Sequence, residues 1–225
     1  MPPYSLIIFD FGGTIADSFA WFVGALNKAA KKFDFREVGL DEIETVRRYD
    51  YQQILRHFGI PKWKLPMINL YLRRLQADAV NTIPLFPGID KTLRELAAAG
   101  MTLAIVSTNS KANVVRALGA ETSAVISHFG CGFSVFGKAS KFKAVLRKSG
   151  VAPQCAIAIG DEIRDLQAAR ATNIAAGAVA WGYADFSTLL TYSPARSFVS
   201  VPHMRACLLS GEQQEVKSAL PLSIG

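Results

Sequence analysis

LIIFDFGGTIADS, residues 6–18, is the stretch whose reading decides the fold. Four apolar residues run straight into Asp10, a Gly-Gly-Thr turn follows, and the next segment can start a helix. A run that is apolar at every position, rather than alternating, suits a strand covered on both faces. Such a strand ends here by presenting a carboxylate at a glycine turn. Two places on stands Gly12, which has no side chain. Because side chains two apart on an extended strand face the same way, Gly12 is where a second group would stand beside Asp10.

The same pattern recurs along the chain. Residues 102–106 end at Ser107, and residues 156–159 end at Gly160-Asp161; residues 125–126, 175–180 and 198–201 are weaker strand candidates. Helical periodicity fills residues 90–99, 112–118, 141–148 and 164–172. Apolar strands alternating with helices predict an α/β fold, a doubly wound parallel sheet. One region breaks the rhythm. Residues 18–83 carry helical apolar faces, marked by Trp21, Phe22, Leu26, Ile54, Leu55, Phe58, Ile68, Leu72 and Leu75, but no convincing strand. That is too long for a simple crossover. The expected organisation is a core domain of residues 1–17 and 84–225, with a helical cap domain of residues 18–83 inserted and IPLFPG, residues 83–88, as the return linker.

Composition excludes several classes. Half of the 225 residues are hydrophobic and 19% are charged, as in an ordinary globular protein. No apolar run approaches the roughly 20 residues that span a bilayer, so no membrane partner is expected. The N-terminal MPPYSLIIFD has no basic region ahead of its short apolar stretch, unlike a signal peptide. Cys131, Cys155 and Cys207 are widely spaced without a CxxC or Cys/His cluster, which points to unpaired thiols in a reducing cytoplasm. The net charge of +7 favours anionic partners. Its carriers are scattered in pairs such as Lys31-Lys32, Arg47-Arg48 and Arg73-Arg74, with no aromatic-interleaved basic run, so nucleic acid is not expected.

In open parallel sheets, ligands bind outside the carboxyl ends of the strands. Asp10, Ser107 and Asp161, with Asp165 four residues on, are therefore the candidate site residues. Each has a plainer explanation alone. Ser107-Thr108-Asn109-Ser110 could be a helix cap, and Asp161 and Asp165 could be acids of a first helical turn. Their joint placement on one sheet edge is what favours function.

The order of these motifs resembles the haloacid dehalogenase superfamily of phosphohydrolases. The family's D-x-D-G-T corresponds to Asp10-Phe11-Gly12-Gly13-Thr14, the Ser or Thr ending the second strand to Ser107, the lysine ahead of the next helix to Lys138, and GDxxxD to Gly160 through Asp165. The ADS after the first motif, LFPGI and GDExxDLQAAR resemble the phosphoglycolate phosphatase-like branch. This resemblance implies a Mg²⁺-dependent hydrolase of small phosphorylated molecules. In it Asp10 is the nucleophile that forms an aspartyl-phosphate, and Asp10, the Gly12 backbone carbonyl and Asp161 hold the metal with Asp165 behind them. Ser107, Thr108 and Asn109 would bind phosphate, and Lys138 would bind phosphate and restrain the nucleophile. Lys141 competes for that last role, since Ala139 follows Lys138 where the family often has proline; Lys138 is favoured as preceding the expected helix.

Gly12 departs from the family pattern. The second aspartate of D-x-D is the family's general acid and base, and such groups contribute roughly 10²- to 10⁴-fold in rate. The metal ligand at this position is a backbone carbonyl that glycine also supplies, but the acid is missing. Slow or altered turnover is expected, with acyl and aryl phosphates easier than alkyl phosphates. Asp17 and Glu162 are the nearby acids that could substitute. Two alternatives stand beside the phosphatase: a phosphate-ligand binding or regulatory protein of the same fold, and a hydrolase of C–P or C–halogen bonds. The C–P version would call on a cap lysine, Lys28, Lys31 or Lys32. Arg47, Arg48 and Tyr49 are candidate cap contacts for a second anionic group, and the tail after His203 is either a surface helix or disordered.

Overall fold

The computed structural model describes residues 4–132 and 137–210. The chain runs β1 (Leu6–Phe9), α1 (Phe19–Phe33), α2 (Ile43–Val46), α3 (Tyr51–His57), α4 (Leu65–Ala79), α5 (Ile89–Ala98), β2 (Thr102–Val106), α6 (Lys111–Ala124) and β3 (His128–Gly130). It continues through α7 (Gly137–Ser149), β4 (Ala156–Gly160), α8 (Ile163–Arg170), β5 (Ala175–Val179), α9 (Phe186–Leu190), β6 (Arg196–Phe198) and α10 (Val201–Ser210). The six strands form one parallel sheet in the order β3-β2-β1-β4-β5-β6. Chain order reverses between β1 and β4, which pair Leu6 with Ala156 through Phe9 with Ile159. That switch point opens a crevice at the strands' carboxyl ends, where Asp10 and Asp161 emerge.

The unbroken apolar strands are explained by cover on both sides. Ile7 and Phe9 of β1 pack in one cluster with Leu103, Ile105, Ile157 and Ile159 of the neighbouring strands, against Leu93 of α5, Val114 of α6 and Met204 of α10. Leu6 and Ile8 face the other way, into Ala104, Val106, Ala156 and Ala158, with Phe142 of α7 and Ala169 of α8. Period-two alternation thus persists, but both faces are buried, so no polar residue marks it.

Helices α1 to α4 gather around a separate apolar cluster of Leu26, Ala29, Leu55, Phe58 and Ile68. The chain leaves for these helices and returns from them side by side: Asp17 N donates to Pro84 O at 2.9 Å and Phe86 N to Ile15 O at 3.0 Å. No described helix is long and apolar enough to cross a membrane.

Three of the boundaries that differ from the sequence expectation have a clear physical cause or bear on the site. The third strand is His128–Gly130 rather than residues 125–126, because Val125 is spent as the C-cap of α6. The last strand ends at Phe198, since the Ser200 hydroxyl accepts from His203 N and starts α10 at Val201. Finally, α7 begins at Gly137, so Lys138 lies in its first turn and not ahead of it. Both Lys138 and Lys141 thus lie within α7, so position relative to the helix start does not separate them. The tail after His203 continues as α10 to Ser210, and its remainder lies outside the described residues.

Candidate active site

Asp10 emerges from β1 with its backbone N–H bound to Ile159 O at 2.8 Å, so the sheet itself fixes where the carboxylate stands. Lys138, from the first turn of α7, places its Nζ 2.8 Å from Asp10 Oδ1 and in a second, very short contact with Asp165 Oδ1. Burial alone would pull the Lys138 pKa down, but the two carboxylates outweigh it and the net direction is up. Lys138 thus stays charged. Lys141, the competing lysine, is occupied elsewhere. Its Nζ donates to Ser107 O at 2.6 Å and to Gly132 O, tying the ends of β2 and β3 together.

Asp161 and Asp165 follow β4. Asp161 is fully buried; its Oδ1 accepts from the Thr14 hydroxyl at 2.6 Å and its Oδ2 from Tyr183 N at 2.8 Å. The Thr14 carbonyl in turn accepts from Trp181 Nε1 at 3.1 Å. Gly13 makes this close approach possible: its φ is +82°, and a Cβ there would lie 2.1 Å from Asp161 Oδ2. Asp165 Oδ2 accepts from Glu162 N at 3.2 Å, which holds the start of α8. Ser107 is buried at the end of β2, its Oγ accepting from Asn109 N at 3.1 Å, so its O–H remains free to donate. Thr108 is exposed. Ser110 caps α6 by accepting from Asn113 N at 3.1 Å. Asn109 Oδ1 is buried and has no hydrogen-bond partner among the described residues. It lines a narrow crevice of about 10 Å³ with Phe11 and Asn113 of the sheet side and Ser18, Gln76 and Val80 of the helical side. That space holds about one water.

The charges at this strand edge favour a bound cation. One oxygen each of Asp10, Glu162 and Asp165 lie within 4.8 Å of one another. With Asp161 beside them, these carboxylates outnumber by two the nearby cations, Lys138 and Arg164, the latter ion-paired to Glu162. Burial raises the Asp10 and Glu162 pKa values and takes Asp161 well above its ordinary value; Asp10 and Asp161 are pushed further by neighbouring acids. A compact, hard, oxygen-only set with excess negative charge fits a divalent ion such as Mg²⁺. From the sequence, Asp161 is expected as a ligand and Glu162 as a substitute acid. The structure places a Glu162 oxygen near those of Asp10 and Asp165, and each Asp161 oxygen accepts one hydrogen bond and keeps a lone pair for a metal.

Gly12 has ordinary φ. A Cβ added there would meet Ser18 Oγ at 3.3 Å and the Tyr183 hydroxyl at 3.8 Å, and those two oxygens lie 2.9 Å apart. Tyr183 was not singled out from the sequence. The signal was available, since Trp181-Gly182-Tyr183 follows β5 and the strand-end rule applies to it as well. Asp17 is exposed.

Two of the three cap residues read as anion contacts, Arg47 and Tyr49, have partners within the protein. Arg47 donates from Nε to Tyr183 O at 3.0 Å and from Nη2 to Gly182 O at 2.9 Å, and its own carbonyl accepts from Asp185 N at 2.8 Å. It is a latch between the helical layer and the loop after β5. Tyr49 packs edge-on against His57. Lys31 pairs with Glu37, Lys32 lies over the Tyr71 ring, and Lys28 is exposed.

Residues 7–179 match the haloacid dehalogenase-like hydrolase family. The chain belongs to that family. Among haloacid dehalogenase-like relatives, it is 29% identical over 189 residues to the phosphoglycolate phosphatase of Synechococcus elongatus, covering 84% of this chain and 89% of that one. It is 26% identical over 198 residues to the pyrophosphatase PpaX of Oceanobacillus iheyensis, covering 84% and 89%. A haloacid dehalogenase-like hydrolase structure from Streptococcus pneumoniae superposes with a TM-score of 0.76 at 23% identity, covering 91% of this chain and 98% of that one. At that identity the superposition speaks for the fold alone.

Proposed function

We propose that this protein is a cytoplasmic, Mg²⁺-dependent phosphatase of small phosphorylated molecules, in which Asp10 is the nucleophile and residues 18–83 form the cap that selects substrate. The observation that carries the reading is Lys138 Nζ held between Asp10 and Asp165 at the carboxyl edge of the sheet. Similarity to phosphatases across most of the chain supports it.

A phosphate monoester is an anion that repels nucleophiles, so attack needs in-line placement and charge neutralisation. Asp10 is placed by its backbone bond to β4 and restrained by Lys138, whose third N–H is left for an incoming phosphate oxygen. The Ser107 hydroxyl and the amides of the following turn extend that anion cradle. Asp10, Glu162 and Asp165, with Asp161 and the Gly12 carbonyl beside them, would hold Mg²⁺, which when bound neutralises phosphate charge. Asp10 then bonds to phosphorus as the leaving oxygen departs with its electron pair, and water later releases phosphate from Asp10.

With no carboxylate at position 12, substrates whose leaving oxygen is weakly basic are favoured: acyl phosphates, aryl phosphates and phosphoanhydrides over alkyl phosphates. The test is turnover of all four classes with Mg²⁺ by the wild-type chain and Asp10→Asn. Turnover lost in Asp10→Asn supports the reading. Gly12 also motivates a second reading, a phosphate-binding protein without turnover. In that case no class is cleaved, while inorganic phosphate binds.

A further inference from the structure

The missing side chain at position 12 leaves a question of what meets the leaving oxygen, and two hydroxyls stand at that place. Among the described residues, leaving aside Gly12 and its chain neighbours, Ser18 Oγ and the Tyr183 hydroxyl are the only heavy atoms within 4 Å of a Cβ built on Gly12, and they are hydrogen-bonded to each other. We propose that this Ser18–Tyr183 hydroxyl pair takes the place of the absent carboxylate by donating a hydrogen bond to the leaving oxygen of the substrate. The proposal rests on the phosphatase reading and deepens it.

The two residues come from opposite ends of the sequence. Ser18 starts the helical layer just after the first motif, and Tyr183 follows β5. Each is held independently. Ser18 is buried and lines the crevice with Asn109 and Asn113, which is where a leaving group would lie beside the phosphate cradle. Tyr183 is fixed at four points. Its N–H is bound to Asp161, its carbonyl to Arg47, and its ring packs 5.3 Å from both Phe19 and Phe22. That is more restraint than filling space requires, and it aims one hydroxyl.

The pair also has a proton arrangement suited to the task. Either oxygen can be the donor in the 2.9 Å contact, and Ser18 Oγ has a second, longer contact with Ala16 O at 3.4 Å. When Tyr183 donates to Ser18, Ser18 can donate to Ala16. When Ser18 turns to donate to Tyr183, the phenolic O–H is freed from Ser18 to serve another acceptor. A tyrosine hydroxyl is protonated at neutral pH and is a donor without having to titrate.

The balance of the step is simple. The Asp10–phosphorus bond forms, the phosphorus–oxygen bond breaks, and the leaving oxygen keeps the electron pair. The hydroxyl stabilises that developing charge by a hydrogen bond, and the departing oxyanion takes its proton from solvent. A carboxylic acid would deliver the proton outright; a hydroxyl pair does not. The substrate class follows: phosphates whose leaving oxygen is stable enough to depart with hydrogen-bond assistance alone.

The test is kcat/KM for a series of aryl phosphates of graded leaving-group basicity, at saturating Mg²⁺, for wild type, Tyr183→Phe, Ser18→Ala and Asp10→Asn. Tyr183→Phe keeps the ring and its packing, so it removes the hydroxyl without a cavity. The expected result is a loss that grows with leaving-group basicity, reaching about tenfold to a hundredfold for the most basic member. Ser18→Ala should move the slope the same way, and Gly12→Asp in the Tyr183→Phe background should flatten it again. A loss equal for every leaving group, or no loss, overturns the hydroxyl-pair proposal while leaving the phosphatase reading intact. No turnover by the wild type overturns both, and turnover retained by Asp10→Asn overturns the nucleophile assignment instead.

Discussion

Lys138 Nζ lies 2.8 Å from Asp10 Oδ1, so the proposed nucleophile is already paired with a cation that also reaches Asp165. Both carboxylates are buried. Truncating Lys138 would leave them facing each other with no counter-charge, which is the costly way to break a buried ion pair.

Lys138→Ala should therefore lower kcat about 10²- to 10³-fold and destabilise the protein by about 3 kcal/mol. Mg²⁺ should recover part of the stability but not the rate. Lys141→Ala, which removes charged hydrogen bonds to the Ser107 and Gly132 carbonyls, should cost about 2 kcal/mol and lower the rate less than Lys138→Ala. Denaturant melts and steady-state kinetics of both variants check this; the reverse ranking of rates would reassign the lysine.

Burial raises the pKa values of Asp10, Asp161 and Glu162. Above their ordinary values the unfolded chain has lost protons that the native, metal-free protein keeps. The native state then binds more protons, so its stability falls as pH rises through the raised values. Mg²⁺ replaces those protons as counter-charge. Thermal melts from about pH 5 to about pH 8 should show Mg²⁺ stabilisation growing with pH and reversed by chelation. A Mg²⁺ effect independent of pH would contradict the acidic group as its site.

Arg47 joins the helical layer to the loop carrying Tyr183 by two guanidinium bonds and one backbone bond. The crevice between Gln76 and Val80 on one side and Asn109 and Asn113 on the other, with about 10 Å³ free, is too small for a substrate, so the proposed phosphatase requires the layers to separate for entry. Arg47→Ala should raise amide exchange around residues 44–50 and 182–185 and change KM and kcat together. Unchanged exchange there would mean that the latch does not hold the layers.

How much of this was legible in the sequence follows from where the determining contacts lie. β1, β2 and β4 were legible because two-sided burial makes every position apolar. β3 was misplaced because an edge strand of three half-buried residues leaves no such run, and Val125 and Ile126 beside it are more apolar. Asp10, Ser107 and Asp161 were legible as strand-end residues, Asp165 by its spacing four residues after Asp161, and Lys138 through motif order. The latch role of Arg47 and the meeting of Tyr183 with Ser18 were not, because each depends on contacts more than 130 residues apart in the chain. Glu162 looked like one more first-turn acid until its carboxylate was found beside those of Asp10 and Asp165.

The central claim is that Asp10 attacks phosphorus. Its most direct test is acid-quenched reaction of the Mg²⁺-loaded protein with an acyl or aryl phosphate, followed by mass spectrometry of the intact chain and its peptides. The account predicts a phosphoryl group mapped to the peptide containing Asp10, labile at alkaline pH and absent in Asp10→Asn. Turnover with no covalent phosphoryl group on Asp10, or with one on another residue, would contradict it.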